Sequence, residues 1–256
     1  MLLVIDVGNT NTVLGLLDGT RVVHQWRIST LTRTTDEFGI LTRQLLAHDN
    51  VDPACIVGVA VCSVVPATVY AIEKACRRYL DRSARILDAR QDLGLAIRVD
   101  NPAELGPDRV VNCIAALERL APPFLIVDFG TATTFDCVDA SGTYVGGAIA
   151  PGLQISADAL FSRTSRLPRI EVQHPRATIG TNTISAIQSG VFWGYVGLVD
   201  GLARRCKTEL GAHAGGGRVP CVATGGLSNL VGRACAEIDE VDEHLTLQGL
   251  RIWYQR

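Results

Sequence analysis

Leu3-Val4-Ile5-Asp6-Val7-Gly8-Asn9-Thr10-Asn11-Thr12-Val13-Leu14-Gly15-Leu16 runs from an apolar stretch into an acid, through Gly8 and two Asn-Thr pairs, and back to alternating apolar positions. That pattern predicts strand, tight turn, strand. The backbone N–H groups and the Asn and Thr side chains of such a turn can line a concave anion site, because small residues let a phosphate approach the main chain. An acid at the tip of a buried strand then has a partner in a divalent cation bridging those phosphates. Taken alone, the stretch is equally well an ordinary hairpin, since Asn-Thr turns are common.

A second copy tips the balance. Phe124-Leu125-Ile126-Val127-Asp128-Phe129-Gly130-Thr131-Ala132-Thr133-Thr134-Phe135 repeats the apolar run, the acid, the glycine two residues later and the Thr-rich turn, at an offset of 122 residues (128 − 6). Each copy continues alike, through a second turn at Asp18-Gly19 or Ser141-Gly142 into a third apolar stretch. Self-similarity at nearly half the 256-residue length predicts two related domains. Two acid-tipped hairpins facing each other across an interdomain cleft are expected to grip a nucleotide's phosphates from both sides.

The Asp-x-Gly-x-Thr hairpin pair resembles the phosphate motifs of the acetate and sugar kinase, Hsp70 and actin superfamily. More narrowly, Asp6-Val7-Gly8-Asn9-Thr10, Gly106-Pro107-Asp108-Arg109, Asp128-Phe129-Gly130-Thr131-Ala132-Thr133 and Asn182-Thr183, in this order and spacing, resemble type III pantothenate kinase over essentially the whole chain. The resemblance implies an α/β fold of two ribonuclease-H-like (actin-like ATPase) domains, residues 1–120 and 121–256, each with a mixed five-stranded sheet. It implies phosphorylation of the 4′-hydroxyl of pantothenate by ATP, the first step towards coenzyme A, in a homodimer. ATP contacts carried over are Asp6, Val7, Gly8, Asn9, Thr10, Asn11, Thr12, Val13 and Thr131. Substrate contacts are Gly106, Pro107, Asp108, Arg109 and Thr183, with Asp108 the general base. Asp128 matches the ligand of a monovalent cation, K⁺ or NH₄⁺, and Mg²⁺ accompanies ATP with Asp6 its carboxylate neighbour. Family members often carry a tyrosine just before the Asp-Asn-Pro turn, where this chain has Val99.

Each of these residues also has a plain structural reading. Asp108 in a first helical turn complements the helix dipole, Arg109 beside it is solvated, Asp128 is a strand-end acid, Thr131 a turn residue and Thr183 a helix cap. In the functional reading, phosphoryl transfer needs a carboxylate within reach of the attacking hydroxyl, and an arginine can hold the substrate's carboxylate in a two-pronged contact. Two rivals share the scaffold: a non-catalytic nucleotide-binding regulator, and an exopolyphosphatase-like hydrolase or carboxylate kinase.

Composition narrows the classes. Hydrophobic residues at 47% with charged residues at 20% describe a globular chain, and a net charge of −2 argues against a dedicated nucleic-acid binder. The apolar run Val57 to Val61 is far below the ~20 residues of a membrane helix, and Asp6 comes too early for a signal peptide, so no membrane partner and a cytoplasmic location are expected. Eight cysteines without a Cys-x-x-Cys pair read as small buried hydrophobes. Lys74 and Lys207 are the only lysines and neither follows a Gly-x-x-x-x-Gly stretch, which excludes a P-loop.

Along the chain the pattern predicts a strand at Arg21–Ser29, a helix from Asp36-Glu37 to about His48, a buried strand from Gly58, a helix from Pro66 to about Leu80 and a short strand from Ala84. Gly106-Pro107 opens a helix to about Leu120, and Tyr144–Ala150 is a strand meeting another helix after Gly152. Arg163, Arg166, Arg169 and Arg176 mark an irregular surface segment. The longest helix, Ile184 to about Leu210, shows one apolar stripe (Ile184, Ile187, Val191, Tyr195, Leu198, Leu202), expected to be buried. Gly190, Gly194, Gly197 and Gly201 on it suggest close approach of another helix, as at a dimer interface. A glycine-rich connection, 211–217, leads to a strand ending in Gly225-Gly226-Leu227-Ser228, which resembles the superfamily's adenosine-contacting turn, and Thr246–Arg256 closes as an amphipathic helix in the second domain.

Overall fold

A computed structural model describes residues 1–88, 93–164, 167–213 and 217–256. Arg166 and the middle of the 211–217 connection lie outside the described residues. The chain divides into two compact units, one of Met1–Gly94, Asn101–Ala115 and His244–Arg256, the other of Leu95–Asp100 and Ala116–Glu243.

The first unit is built on β1 (Leu2–Val7), β2 (Asn11–Asp18) and β3 (Arg21–Ser29), followed by helix α1 (Thr35–His48), β4 (Gly58–Ser63), α2 (Pro66–Leu80) and β5 (Ala84–Ile86). Helix α3 (Pro107–Leu117) joins it as far as Ala115. The sheet order is β3-β2-β1-β4-β5, antiparallel across the hairpins and parallel from β1 through β4 to β5. Strand alternation sorts the residues. Leu3, Ile5 and Val7 of β1 and Val59 and Val61 of β4 pack with Phe38, Leu46, Ile72, Ala75 and Leu80 of α1 and α2. Thr34 and Glu37 form a reciprocal capping box that starts α1.

The second unit repeats this plan with β6 (Phe124–Phe129), β7 (Ala132–Val138), β8 (Tyr144–Pro151), α4 (Leu153–Ser162), α5 (Thr183–His213), β9 (Cys221–Thr224), α6 (Ser228–Val231) and β10 (Glu240–Val241). Its sheet order, β10-β9-β6-β7-β8, is the first sheet's order element for element, with the same parallel and antiparallel pairs. Even the irregularities match. The register of β2 on β3 shifts at Leu16/Leu17, and that of β7 on β8 at Cys137/Val138.

Two expectations need correction. The closing helix α7 (Leu245–Gln255), expected in the second domain, belongs to the first unit, where it packs on β1 and β4. Leu245, Leu247, Leu250 and Trp253 are buried there, Thr246 donates a hydrogen bond to Asn112 Oδ1 at 2.8 Å, and the Arg85 guanidinium lies 4.6 Å from the Trp253 ring centroid. An amphipathic pattern reveals a buried face but not the sheet that covers it. The apolar stripe predicted for α5 is buried only in part: Tyr195 is enclosed, and Val191 and Leu202 pack against the core. Phe192, Tyr195, Val196, Val199, Ala203 and Leu210 face the core, while Ile184 and Leu198 are 52% and 36% exposed. The buried face is broader than the predicted stripe and centres on Phe192, Val196, Val199 and Ala203, so the stripe follows its edge.

Leu250→Ala should cost about 2–5 kcal/mol by opening a cavity under α7. Measured by hydrogen exchange, protection should fall first in β1 and β4 while β6 and β7 keep theirs; the reverse order would return α7 to the second unit.

Candidate active site

In the first unit the same alternation that buries Leu3, Ile5 and Val7 under α1 and α2 turns Asp6 to the opposite face of the sheet, at the end of β1. Cys62 is its parallel register partner on β4 and shares that face. The turn after Asp6 is closed by the Gly8 N–H donating to the Asn11 carbonyl at 3.0 Å. Asn9, Thr10 and Asn11 are exposed, Val13 is half-buried, and Val7 and Thr12 are buried in the strand walls. Thr30, just past β3, pins the turn. Its hydroxyl donates to the Gly8 carbonyl at 2.8 Å and lies 2.9 Å from the Thr12 hydroxyl, and its N–H donates to the Thr10 carbonyl at 2.8 Å. Nothing in the motif pointed to Thr30; the signal was a hydroxyl residue at the end of the strand paired with β2.

Asp108 stands in the first turn of α3, after Leu105, Gly106 and Pro107, with the helix anchored by Val110, Val111, Cys113 and Ile114, all fully buried. Its Oδ1 accepts a hydrogen bond from the Arg109 N–H at 2.9 Å. Burial pushes its pKa above the ordinary carboxylate value, against that hydrogen bond and the Arg109 charge, which act to lower it. The Cys62 thiol is pushed up in turn, by burial first and then by the negative charges of Asp6 and Asp108. Both carboxylates therefore lie close enough to one thiol to act on it: the acid ending β1 and the acid opening α3 share one neighbourhood within the first unit. Gly106 makes room for this placement, because a Cβ there would sit 2.4 Å from Asp108 Oδ1.

The second hairpin has matching parts. Asp128 ends β6 on the face away from α5, and the Gly130 N–H donates to the Ala132 carbonyl at 3.1 Å, as Gly8 does in the first turn. Thr131 is exposed at the turn. Thr224 of β9 is Asp128's register partner; its hydroxyl is fully buried and has no hydrogen-bond partner among the described residues. Gly225 follows with φ +92°, and a Cβ there would fall 2.4 Å from Asp128 Oδ1. A carboxylate beside an orphaned hydroxyl, under a backbone closed to side chains, is an oxygen donor set suited to a hard cation.

Thr183 is the first residue of α5 and exposed. It is not the cap: Asn182 accepts from the Ser185 N–H at 3.0 Å, with Ser185 Oγ accepting from the Asn182 N–H at 3.2 Å. Thr183 instead lines a cavity of about 730 Å³ with Leu160, Asn182, Ile187, Gly190 and Val191.

A sequence model of the type III pantothenate kinase family matches residues 2–205. The chain belongs to the type III pantothenate kinase family. A type III pantothenate kinase of Koribacter versatilis (strain Ellin345) is 48% identical over 267 residues, spanning 100% of this chain and 96% of that protein. One from Anaeromyxobacter sp. (strain Fw109-5) is 50% identical over 257 residues, spanning 100% and 99%. Among solved structures, a protein proposed to be 2-dehydro-3-deoxygalactonokinase from Sinorhizobium meliloti superposes with a TM-score of 0.59 at 15% identity, covering 100% of this chain and 98% of its own, which shows a shared fold. As a family member the chain is an enzyme, a kinase of coenzyme A biosynthesis that phosphorylates pantothenate, and the reading as a non-catalytic regulator gives way. No helix among the described residues is long and apolar enough to cross a membrane.

Gly106→Ala should displace the Asp108 carboxylate without disturbing the buried body of α3. The expected result is a loss of kcat of about 10²-fold, the scale of a misplaced catalytic group, with the thermal midpoint nearly unchanged; full turnover would mean that Asp108 need not sit where Gly106 allows it.

Proposed function

We propose that the chain transfers the γ-phosphoryl group of ATP to the 4′-hydroxyl of pantothenate with Asp108 as general base. Asp6 and the turn from Val7 to Val13, braced by Thr30, hold the ATP phosphates, and Thr131 contributes from the second hairpin. Mg²⁺ bound with ATP neutralises phosphate charge, and Asp6 is the residue that would hold it, directly or through water. Asp108 takes the hydroxyl proton as the oxygen attacks; Gly106 and Pro107 shape the approach, Arg109 receives the substrate carboxylate and Thr183 its polar chain. Asp128 and the unpartnered Thr224 hydroxyl would hold the monovalent cation, K⁺ or NH₄⁺, which supplies positive charge next to the second turn. The observation that carries this reading is that the charges of Asp6, the register neighbour of Cys62, and of Asp108 both bear on that one buried thiol, within a chain matched end to end by pantothenate kinases.

The active form is a homodimer built on the outer face of α5. A Cβ added at Gly190, Gly194 or Gly197 would meet no atom of the described residues within 4 Å beyond its own helix turn, and exposed Ile184 and Leu198 lie on the same helix. A glycine-lined, partly apolar helix face admits the close approach of a second helix. The protein works in the cytoplasm, where its substrates are.

With ATP, Mg²⁺ and pantothenate, phosphopantothenate should form in K⁺ and fall sharply in Na⁺; no product under any of these salts would remove the reading. Asp108→Asn should lower kcat by about 10²–10⁴-fold, the usual range for a lost general base, while undiminished turnover would remove only the assignment of the base.

The acid limb of the pH profile follows from the raised pKa of Asp108. A base must be ionised, so kcat/KM should fall, as pH drops, at a value above the ~3.9 of a free aspartate. The stability sign is opposite to that of a salt-bridged acid. A folded pKa above the unfolded one means the folded state holds the proton more tightly, so this group's contribution is most favourable at low pH and is lost as pH rises through the folded pKa. Asp108→Asn should therefore be at least as stable as the parent at pH 7. A denaturation midpoint well below the parent's would contradict that.

A further inference from the structure

Two cysteines meet in the core of the second unit. Cys137 lies on β7 on the same face as Thr133 and Phe135, and the Thr133 hydroxyl is hydrogen-bonded to that of Tyr195 on α5. From that anchor, four residues of strand advance roughly 13 Å and eleven residues of helix roughly 16 Å, which brings Cys206 opposite Cys137. Cys206 is on the inward face of α5, in phase with Val199, Ala203 and Leu210, and is half-buried where Cys137 is buried. Cys206 packs against the core cluster that holds Cys137, and the two thiols interact. The Cys137 thiol lowers Cys206 to about 7 against the opposing effects of burial and of the Glu209 charge, and the interaction raises Cys137, which burial raises further. Both are free thiols. The more accessible sulfur is thus also the better nucleophile, with a second thiol in the core beside it.

We propose that Cys137 and Cys206 form a reversible dithiol–disulfide couple that low-molecular-weight disulfides oxidise and low-molecular-weight thiols reduce. The Cys206 thiolate attacks one sulfur of the small disulfide, forming a mixed disulfide and expelling one small thiolate. Cys137 then gives up its proton and attacks Cys206 Sγ, forming the Cys137–Cys206 bond and expelling the second small thiolate. The two expelled thiolates take up the two protons released by the cysteines. Two protein thiols are oxidised and one small disulfide is reduced to two thiols. The bond staples β7 to α5 and closes a long loop, which restricts the unfolded chain.

The test uses the full-length protein in oxidised glutathione, quenched by alkylation and mapped by mass spectrometry. The expected result is a Cys137–Cys206 cross-linked peptide two hydrogens lighter than its reduced form, reversed by excess reduced glutathione and accompanied by a raised thermal midpoint. Cys55 and the buried Cys62, Cys76, Cys113, Cys221 and Cys235 should remain alkylatable on denaturation. Cys137→Ala should retain a glutathione adduct on Cys206 that the parent does not. A parent protein with both thiols free after oxidation, or with a lasting adduct on Cys206, would overturn the proposal. The parent's peptide map decides the matter even if the variant fails to fold.

Discussion

A strand shows its side chains alternately to its two faces, and in this fold that constraint does the deciding. In β1 the odd residues enter the packed layer beneath α1 and α2, which leaves Asp6 no place but the other face; in β6, Asp128 is turned away from α5 in the same way. A one-residue slip of either central strand would drive the acid into the packed layer and put an apolar residue of that layer in its place. The fixed register of β1 on both β2 and β4, and of β6 on both β7 and β9, is therefore as much a device for aiming carboxylates as for holding a sheet together.

Around each acid the two units use different means for the same end. The first turn is held by hydroxyls, with Thr30 bonded to both ends of the loop and to Thr12. The second is held by sterics, with Gly225 lying so close to Asp128 that no side chain fits. The first unit adds Asp108 from a separate helix, and burial shifts its protonation in the direction a base working near neutrality requires. The second adds a buried hydroxyl with no partner among the described residues, which suits binding a cation more than moving a proton.

Much of this was legible in the residues. The duplicated acid-Gly-Thr stretch announced two copies of one sheet, and the copies agree down to strand order and the place of a register shift. Gly106-Pro107-Asp108 announced a helix start, which α3 is. What escaped reading was whatever depends on which surfaces meet. The apolar face of α7 was visible but not its destination on β1 and β4, and the stripe read on α5 meets its buried face only in part. Thr30 and Thr224 were invisible for another reason: a hydroxyl acquires its meaning from neighbours distant in sequence, Gly8 for one and Asp128 for the other.

Helix α7 carries a consequence for the order of events during synthesis. It is translated after every residue of the second unit, yet it completes the first, covering β1 and β4 with Leu247, Leu250 and Trp253. The sheet that emerges earliest from the ribosome thus waits, one face uncovered, while the later sheet has all of its own parts in hand. For this chain maturation runs back to front, and the nascent first sheet is the stretch for which a chaperone has most to shield.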